Sequence, residues 1–96
     1  MSSYIVANIT INDRDTYAQY EAGFMEIFER YQGRMLAVDD EQEPLEGDWP
    51  YTRTVLIEFP SHAAALEWYE SEAYQALMQH RTAASQANIA IVSGMT

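Results

Sequence analysis

The spacing of hydrophobic positions changes several times along the 96 residues, and each change marks an element. From Tyr4 to Ile11 they alternate, with Ile5, Ala7, Ile9 and Ile11 on one side and Tyr4, Val6, Asn8 and Thr10 on the other. Successive side chains of a strand point to opposite faces, so this run predicts a first strand. Asn12-Asp13 predicts a helix N-cap, and Asp15 adds negative charge to the first turn. Tyr17, Tyr20, Phe24, Ile27, Phe28 and Tyr31 then recur at helical spacing, with Gly33 as the expected left-handed stop.

Arg34 to Val38 predicts a second strand, and Asp39 to Pro50 a long loop. Tyr51 to Phe59 predicts a third strand, with Val55, Ile57 and Phe59 on one face and Thr52, Thr54, Leu56 and Glu58 on the other. Pro60-Ser61 ends that strand and caps a second helix, in which Leu66 and Tyr69 turn toward the core. Ser71 caps a fresh turn, after which Tyr74, Leu77, Met78 and Arg81 restart the helical period. Asn88 to Val92 predicts the final strand.

The order β-α-β-β-α-β, joined by right-handed crossovers, predicts one ferredoxin-like α+β domain. It has a four-stranded antiparallel sheet with its helices on one face. The other face then presents Val6, Leu56, Val92 and the body of Tyr4, too apolar a patch to leave in water. A second copy covering it would close a dimeric α/β barrel around a shared interior, so a homodimer is expected.

Composition sharpens this picture. A chain this short buries only roughly two-thirds of its unfolded surface as a monomer, yet 48% of its residues are hydrophobic. Self-association is the simplest use of that surplus. The formal net charge is −10, and the five basic residues (Arg14, Arg30, Arg34, Arg53 and Arg81) form no cluster. Nucleic acid and anionic membrane surfaces both require a positive face, so neither partner is expected. No cysteine is present, which removes disulfides, thiolate nucleophiles and cysteine-based metal sites. No apolar run approaches membrane-spanning length, and a soluble cytoplasmic protein is the expectation.

Several stretches together resemble the domain of unknown function 1330 family, small proteins of the dimeric α/β-barrel superfamily. They are Tyr4-Ile5-Val6-Ala7-Asn8, the pair Tyr17 and Tyr20, Gly33-Arg34, and Leu45-Glu46-Gly47-Asp48-Trp49. Glu58-Phe59-Pro60-Ser61, Trp68-Tyr69, Ser71, Tyr74 and Arg81 continue the pattern. The resemblance spans nearly the whole chain and implies the fold and a dimer, but no activity. Wider relatives in the superfamily include cofactor-independent monooxygenases, haem-degrading enzymes and lactone isomerases, a kinship of fold only. Where members often carry a second glycine before the position of Arg34, this chain has Gln32-Gly33, a local change of turn.

Polar residues on the non-helical face supply the candidate chemistry. Glu58 lies beside Leu56 and Thr54, and partial desolvation there would raise its pKa and suit it to general acid or base work. Alternatively it is paired for structural reasons. Asn8 either orients a ligand carbonyl or satisfies a neighbouring backbone group. Arg53 and Arg34 either grip a ligand carboxylate or form ion pairs. Trp49, between Gly47 and Pro50 in the acidic loop, is either a lid or an anchor in a partner subunit. Trp68, Tyr69 and Tyr74 are expected to pack helix on sheet, and Arg81 to fasten the end of the second helix.

His62 and His80 lack metal-ligand spacing, and the acidic loop lacks the oxygen pattern of a calcium loop. No nucleophile triad or phosphate loop is present. The sequence therefore predicts a small-molecule-binding dimer needing no cofactor or metal, with Asn8, Thr54, Glu58 and Arg53 at its cavity. The chemistry such a dimer would support is isomerase-like or monooxygenase-like. The alternative is a non-enzymatic dimerisation or binding module whose cavity is filled by its own side chains.

Overall fold

A computed structural model describes residues 1–95. The elements run β1 (Ser3–Ile11), α1 (Arg14–Phe28), β2 (Arg34–Asp39), β3 (Arg53–Phe59), α2 (His62–Tyr69), α3 (Glu72–Ala84) and β4 (Ser85–Ser93). The four strands form one antiparallel sheet in the order β2-β3-β1-β4. This is the ferredoxin-like arrangement, with the second crossover divided into two helices.

Ser71 makes that division. Its hydroxyl donates to the Trp68 carbonyl at 2.8 Å, closing α2, and accepts from the Tyr74 amide at 3.2 Å, opening α3. Asp13 and Ser61 cap α1 and α2 in the same way, through the amides of Thr16 and Ala64. Each cap satisfies a first-turn N–H that has no partner inside the helix.

Gly33 departs from its expected role. Helix α1 ends at Phe28, and among the described residues the only glycine with positive φ is Gly47, at 77°. What position 33 requires is space, because a Cβ there would stand 2.6 Å from Phe28 Cζ and 2.7 Å from Phe59 Cζ. The chain therefore passes beneath two core rings where no side chain fits.

The core lies between the sheet and the helices. Ile5, Ala7, Ile9, Ile57 and Phe59 rise from the sheet, and Tyr17, Tyr20, Phe28, Trp68 and Tyr74 descend from the helices. Phe59 is fully buried, stacked 5.7 Å from the Trp68 ring and edge-on to Phe28. Burying one such side chain contributes about 3 kcal/mol. The helix layer thus rests on aromatic rings rather than on small aliphatic side chains.

On the opposite face, β1 and β3 align Tyr4 with Glu58, Val6 with Leu56, and Asn8 with Thr54. Strand β4 adds Val92 beside Tyr4 and Ala90 beside Val6. These residues form one contiguous patch, half-buried in its middle and exposed at Val92. Among the described residues no helix is long and apolar enough to cross a membrane.

Candidate ligand site between helices and sheet

A cavity of about 200 Å³ lies between the two layers, on the opposite side of the sheet from the expected interior. Its floor is Ile5, Ala7 and Ile57, and its roof is Tyr20, Phe24 and Trp68. Around Phe24 and Tyr74 most ring pairs meet edge-on, the arrangement aromatic rings prefer. The size falls below the roughly 300–1,000 Å³ of sites for drug-sized ligands, so an occupant would be small.

Three polar features interrupt the apolar wall. The Tyr20 and Tyr74 hydroxyls are 2.7 Å apart and buried. Burial pushes both phenols above their ordinary range. The nearby Arg81 guanidinium favours negative charge on the Tyr74 oxygen, and either hydroxyl can be the donor of the pair. Arg81 itself is only 5% exposed, its guanidinium 6.0 Å from the centre of the Tyr20 ring. Neither its Nε nor the Trp68 Nε1 has a hydrogen-bond partner among the described residues.

Arg53 forms part of the rim. Its position on β3 matches Val55, Ile57 and Phe59, so it points toward the helices, whereas Glu58 points away. Its Nε and Nη2 donate to the two Asp40 carboxylate oxygens at 2.6 and 3.0 Å, and its Nη1 donates to Glu21 at 2.9 Å. The guanidinium also lies 5.4 Å from the Tyr17 ring centre. Hydrogen bonding to Arg53 holds the Asp40 carboxyl below the usual range. In this arrangement the edge of Arg53 suited to a ligand carboxylate is taken by Asp40.

The other residues nominated from sequence divide into two groups. Thr54 Oγ1 donates to Asn8 Oδ1 at 3.0 Å, and Trp49 Nε1 donates to Gln42 Oε1 at 3.0 Å, with Gln42 reaching Thr54 at 3.5 Å. Asn8, Thr54 and Trp49 therefore belong to one polar chain on the non-helical face. Trp49 meets Tyr51 edge-on, and Tyr51 accepts from Asn88 at 2.9 Å, so the loop lies across that end of the sheet.

Glu58 stands at the other end of the face. Arg34 Nη2 donates to it at 2.6 Å, and the Tyr4 hydroxyl at 3.4 Å. The raised pKa expected for Glu58 is not found. The Ser2 hydroxyl, and after it Arg34 and Tyr4, outweigh partial desolvation and hold the carboxyl below its ordinary range. A shallow cleft at Ser2, Arg34 and Glu58 measures about 380 Å³, larger than the helix–sheet cavity but open to solvent. We regard the helix–sheet cavity as the better ligand site, because its lining is mostly apolar and aromatic. Structure thus brings Asn8, Thr54 and Trp49 together, keeps Glu58 with Arg34, and separates Arg53 from them all.

Tyr20, Trp68, Tyr74 and Arg81 carry buried polar groups of the helix–sheet cavity, whose lining also includes Arg53 and Glu21, and their periodicity reads as core packing. The available signal was Arg81, a cation in phase with Tyr74 and Leu77 on the buried face of its helix. His62 and His80 are exposed, and among the described residues no cluster of three metal-ligating side chains is in position to hold an ion.

A four-stranded antiparallel sheet, covered on one side by helices that enclose a cavity, defines a ferredoxin-like α+β domain. More particularly, the chain belongs to the DUF1330 family, a domain of unknown function whose pattern matches residues 2–95. No curated protein is similar to it in sequence. A Rhodopseudomonas palustris protein of unknown function superposes with a TM-score of 0.82 at 18% identity, over 99% of this chain and 83% of that one. A dimeric ferredoxin-like protein of unknown function from Jannaschia gives 0.71 at 10% identity, over 98% and 100%. SnoaB, a cofactor-independent oxygenase from Streptomyces nogalater, gives 0.69 at 13% identity, over 99% and 94%. At these identities the likeness is one of fold.

Proposed function

We propose that the protein is a homodimer that binds a small, largely apolar organic molecule in the helix–sheet cavity of each protomer. The observation that carries this reading is the cavity itself, lined largely by apolar and aromatic side chains and containing buried polar groups. Binding sites of this kind are mainly apolar, with a few polar groups that orient the ligand. The dimer is supported by the contiguous patch of Val6, Leu56, Val92 and Tyr4, and by a structural relative described as dimeric. The fold shared with SnoaB supports an extension to cofactor-independent chemistry on the bound molecule. In that case the Tyr20–Tyr74 hydroxyl pair would exchange a proton with the ligand.

Native mass spectrometry tests the binding. The dimer should retain single-ring organic compounds and release them on denaturation, and Ala7→Met, which fills the floor, should abolish retention. Failure of every compound in such a panel to bind or to raise the melting temperature would remove the proposal.

A second reading places the chemistry in the dimer interior, with Asn8, Thr54, Arg34 and Trp49 as ligand contacts and Glu58 as proton carrier. It is favoured by the position of Glu58 between Arg34 and the Tyr4 hydroxyl, on the face a partner sheet would cover. Once an activity is identified, loss of turnover in Glu58→Gln but not in Tyr74→Phe would select this reading.

A further inference from the structure

The charges of this chain are distributed unevenly around one arginine. Arg14 pairs with Asp40, Arg30 with Glu26, Arg34 with Glu58, and Arg53 with both Glu21 and Asp40. Arg81 pairs with nothing among the described residues, although the sequence holds fifteen carboxylates. It is also the most buried of the five, at 5% exposure against 9% for Arg53. Among the described residues the four more accessible arginines therefore have counter-charges, and the least accessible has none.

A buried charge without a partner is strongly unfavourable, and arginine cannot escape by losing its proton. The Tyr20 ring offers a cation–π contact and the Tyr74 hydroxyl a neutral acceptor, but neither carries a counter-charge. Its Nε has no acceptor, and the Trp68 Nε1 on the same cavity wall is a second donor without one. The one carboxylate in the cavity lining, Glu21, is engaged by Arg53, so the Arg81 Nε and the Trp68 Nε1 remain as donors without acceptors.

We infer that the cavity's ligand is a small organic carboxylate whose anionic oxygens supply the missing partner of Arg81. This rests on the cavity reading above and adds the chemical class of the occupant. The apolar remainder of the ligand lies over Ala7 and Ile57, and the Tyr20–Tyr74 hydroxyl pair is placed to donate to a polar group on it. Among the cavity residues Arg81 is then the specificity determinant.

Matched probes test this by calorimetry on the full chain: benzoate and 4-hydroxybenzoate against benzamide and 4-hydroxybenzamide. The wild-type protein should bind the acids about tenfold or more tightly than the amides, the difference expected of a charge-assisted pair. Arg81→Met should erase that preference and Arg81→Lys restore part of it. Without ligand, Arg81→Met should melt at the same temperature as wild type or higher, since it removes an uncompensated charge.

Amides binding as tightly as acids would overturn the carboxylate assignment and leave the cavity as a ligand site. An Arg81→Met variant that melts lower yet keeps the preference for acids would also overturn it, by making Arg81 structural. Binding of no probe in either series would overturn the cavity reading and this inference with it. The wild-type comparison decides the matter even if Arg81→Met does not fold.

Discussion

Arg53 and Glu58 lie on the same strand yet serve opposite faces of the sheet: Arg53 grips Asp40 beneath the helices, and Glu58 meets Arg34 on the far side. The two ion pairs differ in consequence. Arg53 is largely buried, so removing Asp40 leaves its charge to Glu21 alone, whereas Arg34 is exposed and its pair is screened by water. Asp40→Asn should therefore destabilise the protein by about 1–2 kcal/mol, a figure already reduced for the partial exposure of Asp40. Arg34→Ala should cost less than about 1 kcal/mol. Urea denaturation of the two variants checks the order.

The same pair sets an acid limb. Asp40 has a folded pKa below its unfolded value, because it accepts hydrogen bonds from Arg53. Its contribution is therefore fully present above the unfolded value, about 3.9, and disappears as pH falls through the lower folded value. Melting temperatures of wild type and Asp40→Asn, compared from pH 7 downward, should converge below pH 4. A constant gap across that range would show that Asp40 does not carry the effect.

Tyr20 and Tyr74 share one buried hydrogen bond, so their substitutions should not add. Each single change to Phe should cost about 1 kcal/mol, since it leaves one hydroxyl without its partner. The double variant should cost less than the sum of the two, because no orphan remains. Additive losses in a double-mutant cycle would mean that the pair is not coupled.

Gly33→Ala places a methyl group against two core rings, and should destabilise by about 1–3 kcal/mol. Gly47→Ala meets no neighbouring atom and bears only the strain of its positive φ, about 1–2 kcal/mol. If the urea midpoint falls further for Gly47→Ala, the close passage beneath Phe28 and Phe59 is not what position 33 demands.

How much of this was legible in the chain varied with the range of the interactions involved. The alternation from Tyr4 to Ile11 and the cap residues Asp13, Ser61 and Ser71 report local rules, and the elements follow them closely. Parity along β3 also suffices to separate Arg53 from Glu58, so grouping the two around one cavity neglects a signal that was present. Gly33 misleads because glycine can mean either a left-handed turn or a lack of room, and only the approach of Phe28 and Phe59 decides between them. The cavity itself is the least legible feature. Spacing shows that Tyr20, Trp68 and Tyr74 face inward but not that their rings fail to close over Ala7. Likewise it cannot reveal that Arg81 alone among the arginines lacks a carboxylate partner among the described residues.

The outer patch gives a separate expectation for assembly. Leu56, paired with Val6 at its centre, should not tolerate a charge if a second sheet covers it. Leu56→Glu should sediment as a single protomer where the unaltered chain sediments as two, while still binding ligands in the helix–sheet cavity. Dimeric sedimentation of Leu56→Glu would place the interface elsewhere.

Methyl NMR on addition of indole, a neutral ring of suitable size, asks directly which side of the sheet receives a small molecule. The methyl groups of Ile5, Ala7 and Ile57 should shift, together with the Trp68 indole N–H, while those of Val6, Leu56 and Ala90 stay in place. Shifts confined to Val6, Leu56 and Ala90 would move the site to the opposite face and contradict the assignment of the cavity.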